Sequence, residues 1–256
     1  MLERRGQAHH EAPARQTEAA GAGGVLCSGA LKSSRNANVA TLIPLGDASR
    51  RPRRFAVVTL PIILTNAYVF LRELIEGDAF VARWALIPAR IDHGQGLITL
   101  VTGTFLHAGW LHILGNMVFL WAFGPGIEDA MGRMRYLVFY LTGGVVAMLA
   151  QVAGSPGSHV PCLGASGAIA AVMGAFIVLF PRNRIRSLVW ILIFIRVTYI
   201  PAALLIGVWF LIQLLNVVGP WATVQGGGVA YLAHVGGFLF GVVTARLWRR
   251  KAAISY

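Results

Sequence analysis

At 256 residues the chain has room for one or two soluble domains, yet 56% of it is hydrophobic and only 12% charged, half the ~25% usual for a soluble domain, and its mean hydropathy is +0.66. That composition excludes an ordinary soluble enzyme and points to a polytopic membrane protein with no second domain. The formal charge of +12 does not point to nucleic acid: the arginines sit before, between and after apolar runs, as topology signals facing anionic lipid do, and no basic face interleaved with aromatics exists.

In chain order, residues 1–54 are rich in Ala, Gly, Arg and Ser with no sustained apolar period, and are expected to form a disordered basic cytoplasmic tail. No apolar core of signal-peptide length follows the early arginines. An Arg-rich, acid-poor tail also fits an organellar transit peptide, but a plain tail on a protein of a bacterial-type plasma membrane is the preferred expectation. Residues 55–248 are then read as one bundle of six spans: Ala56–Leu71, Leu111–Gly126, Tyr136–Gly154, Cys162–Phe180, Pro201–Val218 and Val229–Leu247. Several are at the short end of the ~17–25 residues that cross a bilayer. Ser187–Ile195 is apolar but brief and runs into Arg196, so it is read as an interfacial or re-entrant connection. Residues 249–256 make a short basic tail.

The loops set the orientation. The 127–135 and 181–186 turns and both chain ends are basic, whereas 154–161 and 219–228 contain no Lys or Arg. This alternation predicts both termini in the cytoplasm. Cys27 and Cys162 then lie on opposite sides of the membrane, which argues against a disulfide. No Cys/His spacing of a metal site is present, and no metal or cofactor is expected.

Polar groups inside spans are costly and so are candidates for function. Span two carries His112 and Asn116, one helical turn apart and on one face. Span four carries Ser166 in Gly164-Ala165-Ser166-Gly167, and span six carries His234 in Ala233-His234-Val235-Gly236-Gly237. On the predicted topology all three spans enter from the outer side, and all four residues lie within ~10 Å of the outer helix ends. Small residues at Gly237 and Gly241 of span six, and at Gly167, Ala171 and Gly174 of span four, would let these helices approach closely. A serine hydroxyl needs a base, and histidine is suited to that near neutral pH. Ser166 is therefore the expected nucleophile and His234 its general base. The Ser166 backbone N–H, in a first helical turn, with His112 and Asn116 as side-chain donors, would form an oxyanion hole.

At these residues the chain resembles the rhomboid proteases. The carriers of the resemblance are Gly164-Ala165-Ser166-Gly167, the His112-x-x-x-Asn116 pair and Ala233-His234-x-x-Gly237-x-x-x-Gly241. Phe105-Leu106-His107 and Glu128-Asp129-x-x-Gly132-x-x-Arg135-Tyr136 add to it, and it covers about residues 55–248. The resemblance implies an all-α membrane protein, a six-span rhomboid-like bundle. It also implies a Ser–His dyad, an acyl-enzyme, and single-span membrane proteins as substrates, cut near the outer face after entering past span five. Many members carry an aromatic residue four positions after the serine, packed on the histidine; here that position is Ala170.

Other readings fit less well. A zinc intramembrane protease needs His-Glu-x-x-His, which is absent, and no predicted span contains the aspartates of an aspartyl enzyme. No internal repeat suggests a transporter. The remaining alternative is a catalytically silent rhomboid-like protein that binds membrane helices for quality control; retention of both Ser166 and His234 argues against it. His93, His107 and His159 are expected to be loop histidines. The glycines at 219 and 226–228 predict a loop able to act as a lid. None of the ten acidic residues follows Asp129, so a dyad without a carboxylate is expected; a third member would have to be Glu73, Glu76, Asp78 or Asp92.

Overall fold

A computed structural model describes residues 41–49, 55–191, 194–218 and 230–248. The described chain is mostly helical. Six longer helices are α1 (Thr59–Glu76), α5 (Trp110–Met131), α6 (Arg133–Gly154), α7 (Ser166–Leu179), α8 (Ala202–Val218) and α9 (Tyr231–Trp248). Between α1 and α5 run three short helices, α2 (Asp78–Trp84), α3 (Pro88–Asp92) and α4 (Thr99–Thr102), then a 3-10 turn at Gly103–Phe105. By length and composition α5 and α6, of 22 residues each, suffice to cross a bilayer, and α7 and α8 are apolar but shorter.

Burial explains the arrangement. Every residue from Gly167 to Phe176 of α7 is buried, as expected for a helix that is apolar all round and sits at the centre of a bundle. The flanking helices bury one stripe each. In α1 the stripe is Thr59, Ile62, Asn66, Phe70 and Glu73, at the three-and-four spacing of a single helical face. Their outer faces are apolar too: Leu64, Leu71, Leu114, Leu211, Val243 and Leu247 are all exposed. A water-soluble protein does not surround itself with such a ring; lipid is the solvent that suits it.

The most extensive helix pairing is α7 with α9, and it depends on missing side chains. A Cβ on Gly237 would run into the Gly167 carbonyl, one on Gly241 into the Ala171 carbonyl, and one on Gly174 into the Phe238 carbonyl. The small-residue faces predicted for spans four and six are thus the contact itself. At one end of the bundle Glu128 of α5 caps α1, accepting from Val58 N–H at 2.9 Å, Thr59 N–H at 2.8 Å and Thr59 Oγ at 2.8 Å. Those bonds satisfy donors that a helix start leaves open. Glu128 therefore ties two helices together as well as shaping the turn to α6.

Two expectations need correction. The chain is not all-α: Thr41–Asp47 (β1), Arg184–Ile191 (β2) and Phe194–Pro201 (β3) form an antiparallel sheet in the order β1-β2-β3. The stretch read as an interfacial or re-entrant connection belongs to two antiparallel strands, with Ile185 of β2 fully buried in the main core. Part of the expected tail, Thr41–Asp47, is its third strand, and Asp47 accepts from Asn183 Nδ2 at 2.6 Å. β-branched residues on β2 and β3 favour this pairing over a helix. The helix bounds also shift. The fourth helix starts at Ser166, not Cys162, because Cys162 pairs in extended form with Leu86 and Gly164 N–H bonds the Gly103 carbonyl at 2.9 Å. The expected lid at 219–228, Cys27 and the 249–256 tail lie outside the described residues.

Candidate active site

Ser166 is the first residue of α7, preceded by Gly164 at φ +129°. That backbone conformation favours glycine, and the space around it requires glycine as well. A Cβ there would stand 2.9 Å from His112 Cε1, 3.0 Å from His112 Nε2 and 3.5 Å from Ser166 Oγ. The space that glycine leaves bare at 164 is therefore bordered by the His112 ring and the serine hydroxyl. α9 brings His234 to the other side, with Nε2 2.7 Å from Ser166 Oγ. The pair separated by 68 residues in sequence is in hydrogen-bond contact.

One backbone contact favours a single tautomer of His112. Ala108 N–H donates to its Nδ1 at 3.3 Å, so Nδ1 carries a lone pair and the proton resides on Nε2. That Nε2 borders the space left bare at Gly164, 3.0 Å from where a Cβ would stand. Asn116 is one turn further along α5, buried, and its Nδ2 has no hydrogen-bond partner among the described residues. A buried donor left open is costly, unless something that accepts a hydrogen bond arrives. Beside the serine a small cavity is walled by Gly164, Gly167, Ala147, Met148, Cys162, Leu163 and Ala233.

The other described histidines lie outside the six longer helices. His93 and His159 are exposed. His107 is buried, its ring 5.2 Å from that of His112. Burial, helped by the neighbouring His112, pulls the His107 imidazole down to about 3, so it stays neutral. Its backbone N–H is held by Glu73 at 3.0 Å, which fixes the turn into α5. Asp92 accepts from Gly157 N–H at 2.7 Å. Among the described residues, no cluster of three or more His, Cys, Asp or Glu could hold a metal ion.

One polar residue at the site was absent from the sequence reading. Gln213 of α8 is buried, and its Oε1 lies 2.7 Å from His234 Nδ1. The Trp209 ring, one turn earlier on α8, is 5.7 Å from the imidazole at 44°, and the Tyr231 ring is 6.4 Å away at 88°. The rule that singled out the other four, a costly polar group inside a span, also applies to Gln213.

A lipid-facing helical bundle with a serine and a histidine in contact near one end defines a class of membrane-embedded proteins. The family model described as "Rhomboid domain" matches residues 94–251. The chain belongs to the rhomboid family. It is similar to the human presenilin-associated rhomboid-like protein, mitochondrial, at 28% identity over 56% of this chain and 36% of that protein. It is also similar to rhomboid protein 1, mitochondrial, of Saccharomyces cerevisiae, at 29% identity over 70% of this chain and 49% of that protein. A third relative is the Bacillus subtilis protein named putative rhomboid protease YdcA, at 36% identity over 34% of this chain and 43% of that protein. The matches thus span a third to a half of these relatives' lengths.

Proposed function

We propose that the protein is an intramembrane serine endopeptidase that cleaves transmembrane substrates near the outer membrane face. The observation that carries this reading is the 2.7 Å contact between Ser166 Oγ and His234 Nε2, reached from two different helices. In the proposed reaction His234 takes the hydroxyl proton as Ser166 Oγ attacks a peptide carbonyl carbon. The C–N bond then breaks, the leaving amine takes the proton from His234, and an acyl-serine remains. Water, deprotonated by the same histidine, releases the acyl group and restores the serine. No cofactor or metal enters the scheme.

The oxyanion that forms at each attack would be met by the His112 Nε2–H, the unspent Asn116 amide and the open N–H at the start of α7. The Gly164 backbone leaves that place vacant. Alanine at His112 or Asn116 is expected to lower kcat by ~10²–10³-fold with little change in KM. Cleavage of a single-span substrate in liposomes by the full-length variants measures this. Equal losses of fold and activity would instead assign the two residues to structure.

Six membrane-crossing helices with both termini in the cytoplasm complete the proposal. Supporting it, the basic 181–186 turn and the arginine-free 154–161 loop join opposite ends of α7. Reporter fusions after residues 158 and 183 are expected to report opposite sides. Reporters on one side would remove the cavity's outer placement and with it the reading. The compartment follows the host: two of the named relatives are mitochondrial and one is bacterial, so a bacterial-type plasma membrane and a mitochondrial membrane both accommodate the chain. Single-span proteins entering past α8 are the proposed substrates.

A further inference from the structure

We propose that Gln213 is a positioning residue for His234, so that α8 carries the device that holds the base. This inference rests on the catalytic reading of Ser166 and His234. The imidazole is gripped at both nitrogens, by Ser166 Oγ at 2.7 Å from Nε2 and by Gln213 Oε1 at 2.7 Å from Nδ1.

The amide's own hydrogen bond fixes which way it faces. Gln213 Nε2 donates to the Trp209 carbonyl, one turn back on α8, at 3.4 Å. Turning the amide over would set its oxygen against that carbonyl, two acceptors face to face. The Gln213 oxygen must therefore meet the histidine, and an amide oxygen only accepts. Nδ1 must then carry the proton, which leaves a lone pair on Nε2, directed at the serine hydroxyl. That is the tautomer a general base needs; the other would point an N–H at Ser166. In a soluble triad an aspartate selects this tautomer and also supplies charge. Here a neutral amide supplies the selection alone, in a chain with no acidic residue after Asp129.

The same helix also substitutes for the aromatic residue missing at Ala170. Trp209 and Gln213 are four residues apart, on the buried stripe of α8 with Ala202, Leu205 and Ile206. The tryptophan ring flanks the imidazole at 5.7 Å. On its opposite face α8 exposes Leu204, Val208, Leu211 and Leu215. Any displacement of α8 from α9 breaks the Gln213 bond, so the base is held in its working tautomer while α8 is seated.

The test compares the full-length Gln213→Leu and Gln213→Glu proteins, with Ser166→Ala alongside, on a single-span substrate. Leucine keeps the bulk but has no acceptor; glutamate keeps the acceptor. Gln213→Leu is expected to lower kcat by about 10–100-fold with KM changed by less than about twofold, and Gln213→Glu to restore most of kcat. In 15N-histidine-labelled wild-type protein, with the His234 signals assigned by their loss in His234→Ala, the Nδ1–H tautomer is expected. A Gln213→Leu enzyme with unchanged kcat, a Gln213→Glu enzyme no better than it, or an Nε2–H tautomer in the wild type would overturn the proposal. Should Gln213→Leu not fold, the glutamate variant and the wild-type tautomer still decide, the latter without any turnover. Cleavage surviving in Ser166→Ala would instead strike the catalytic reading, whereas a silent Gln213→Leu beside a dead Ser166→Ala strikes this inference alone.

Discussion

Exchange of His234 for alanine is expected to abolish cleavage, lowering kcat by on the order of 10⁴–10⁶-fold, while the protein still folds. Among the described residues the serine hydroxyl meets one base: His234 Nε2 is the nitrogen at 2.7 Å, and Ala108 N–H occupies the His112 Nδ1 lone pair. The close α7–α9 approach is made by glycine against backbone, which the exchange leaves in place. Ser166→Ala should therefore match His234→Ala, and the double variant should be no worse than either, because two groups that act as one unit give non-additive losses. Steady-state cleavage by the two single variants and the double variant checks this. Losses that multiply would mean that serine and histidine act independently.

The second large effect concerns folding. Gly241→Leu is expected to prevent assembly of the bundle or to destabilise it by at least about 3 kcal/mol. A Cβ at this position meets the Ala171 carbonyl and Cα, backbone atoms of the central helix that have no rotamer to escape into. To relieve the clash α9 must back away from α7, opening the pairing on which the core is built and carrying His234 from Ser166. Gly207→Ala on α8 is the control. Nothing lies within 4 Å of a Cβ there, so it should be neutral or stabilise slightly through helix propensity, about 0.5–1 kcal/mol. Thermal unfolding in detergent separates the two. A Gly241→Leu protein that melts with the wild type would refute close α7–α9 contact.

Hydropathy made most of the helices legible, since a run of apolar residues in this composition has few other places to go. The small-residue stripes of Gly167, Ala171 and Gly174 and of Gly237 and Gly241 were legible for a related reason: small residues spaced by three or four let another backbone approach. Boundaries were less so. Hydropathy does not distinguish extended from helical backbone, so Cys162–Gly164 looked like the start of a span, although Cys162 pairs with Leu86. That two-strand contact between distant loops sets Ser166 at the first position of its helix. At the end of α1 the reverse occurred: Arg72, Glu73 and Glu76 look like the end of a span, yet helix continues through them to Glu76.

The sheet was hidden because its pairing is non-local. Thr41–Asp47 is seven residues in a polar, small-residue tail, and its partner strand lies about 140 positions later, Thr41 opposite Trp190. The clue available was the β-branched content of 185–200, with Ile185, Val189, Ile195, Val197, Thr198 and Ile200 bounded by Pro181 and Pro201. The site was legible wherever residues came in recognisable groups. Gln213 met the same rule of a polar group inside a span but stood in no such group, and its partner on α9 is visible only once α8 and α9 are packed together.

The most direct measurement of the central claim is covalent labelling of the folded protein with a fluorophosphonate, the adduct mapped by mass spectrometry. Such a probe phosphonylates a serine only where a base activates it and donors stabilise the developing oxyanion. A single adduct on Ser166 is expected in the wild-type protein and none in His234→Ala. An unlabelled wild type, an adduct on another serine, or labelling of Ser166 that persists unchanged in His234→Ala would contradict it.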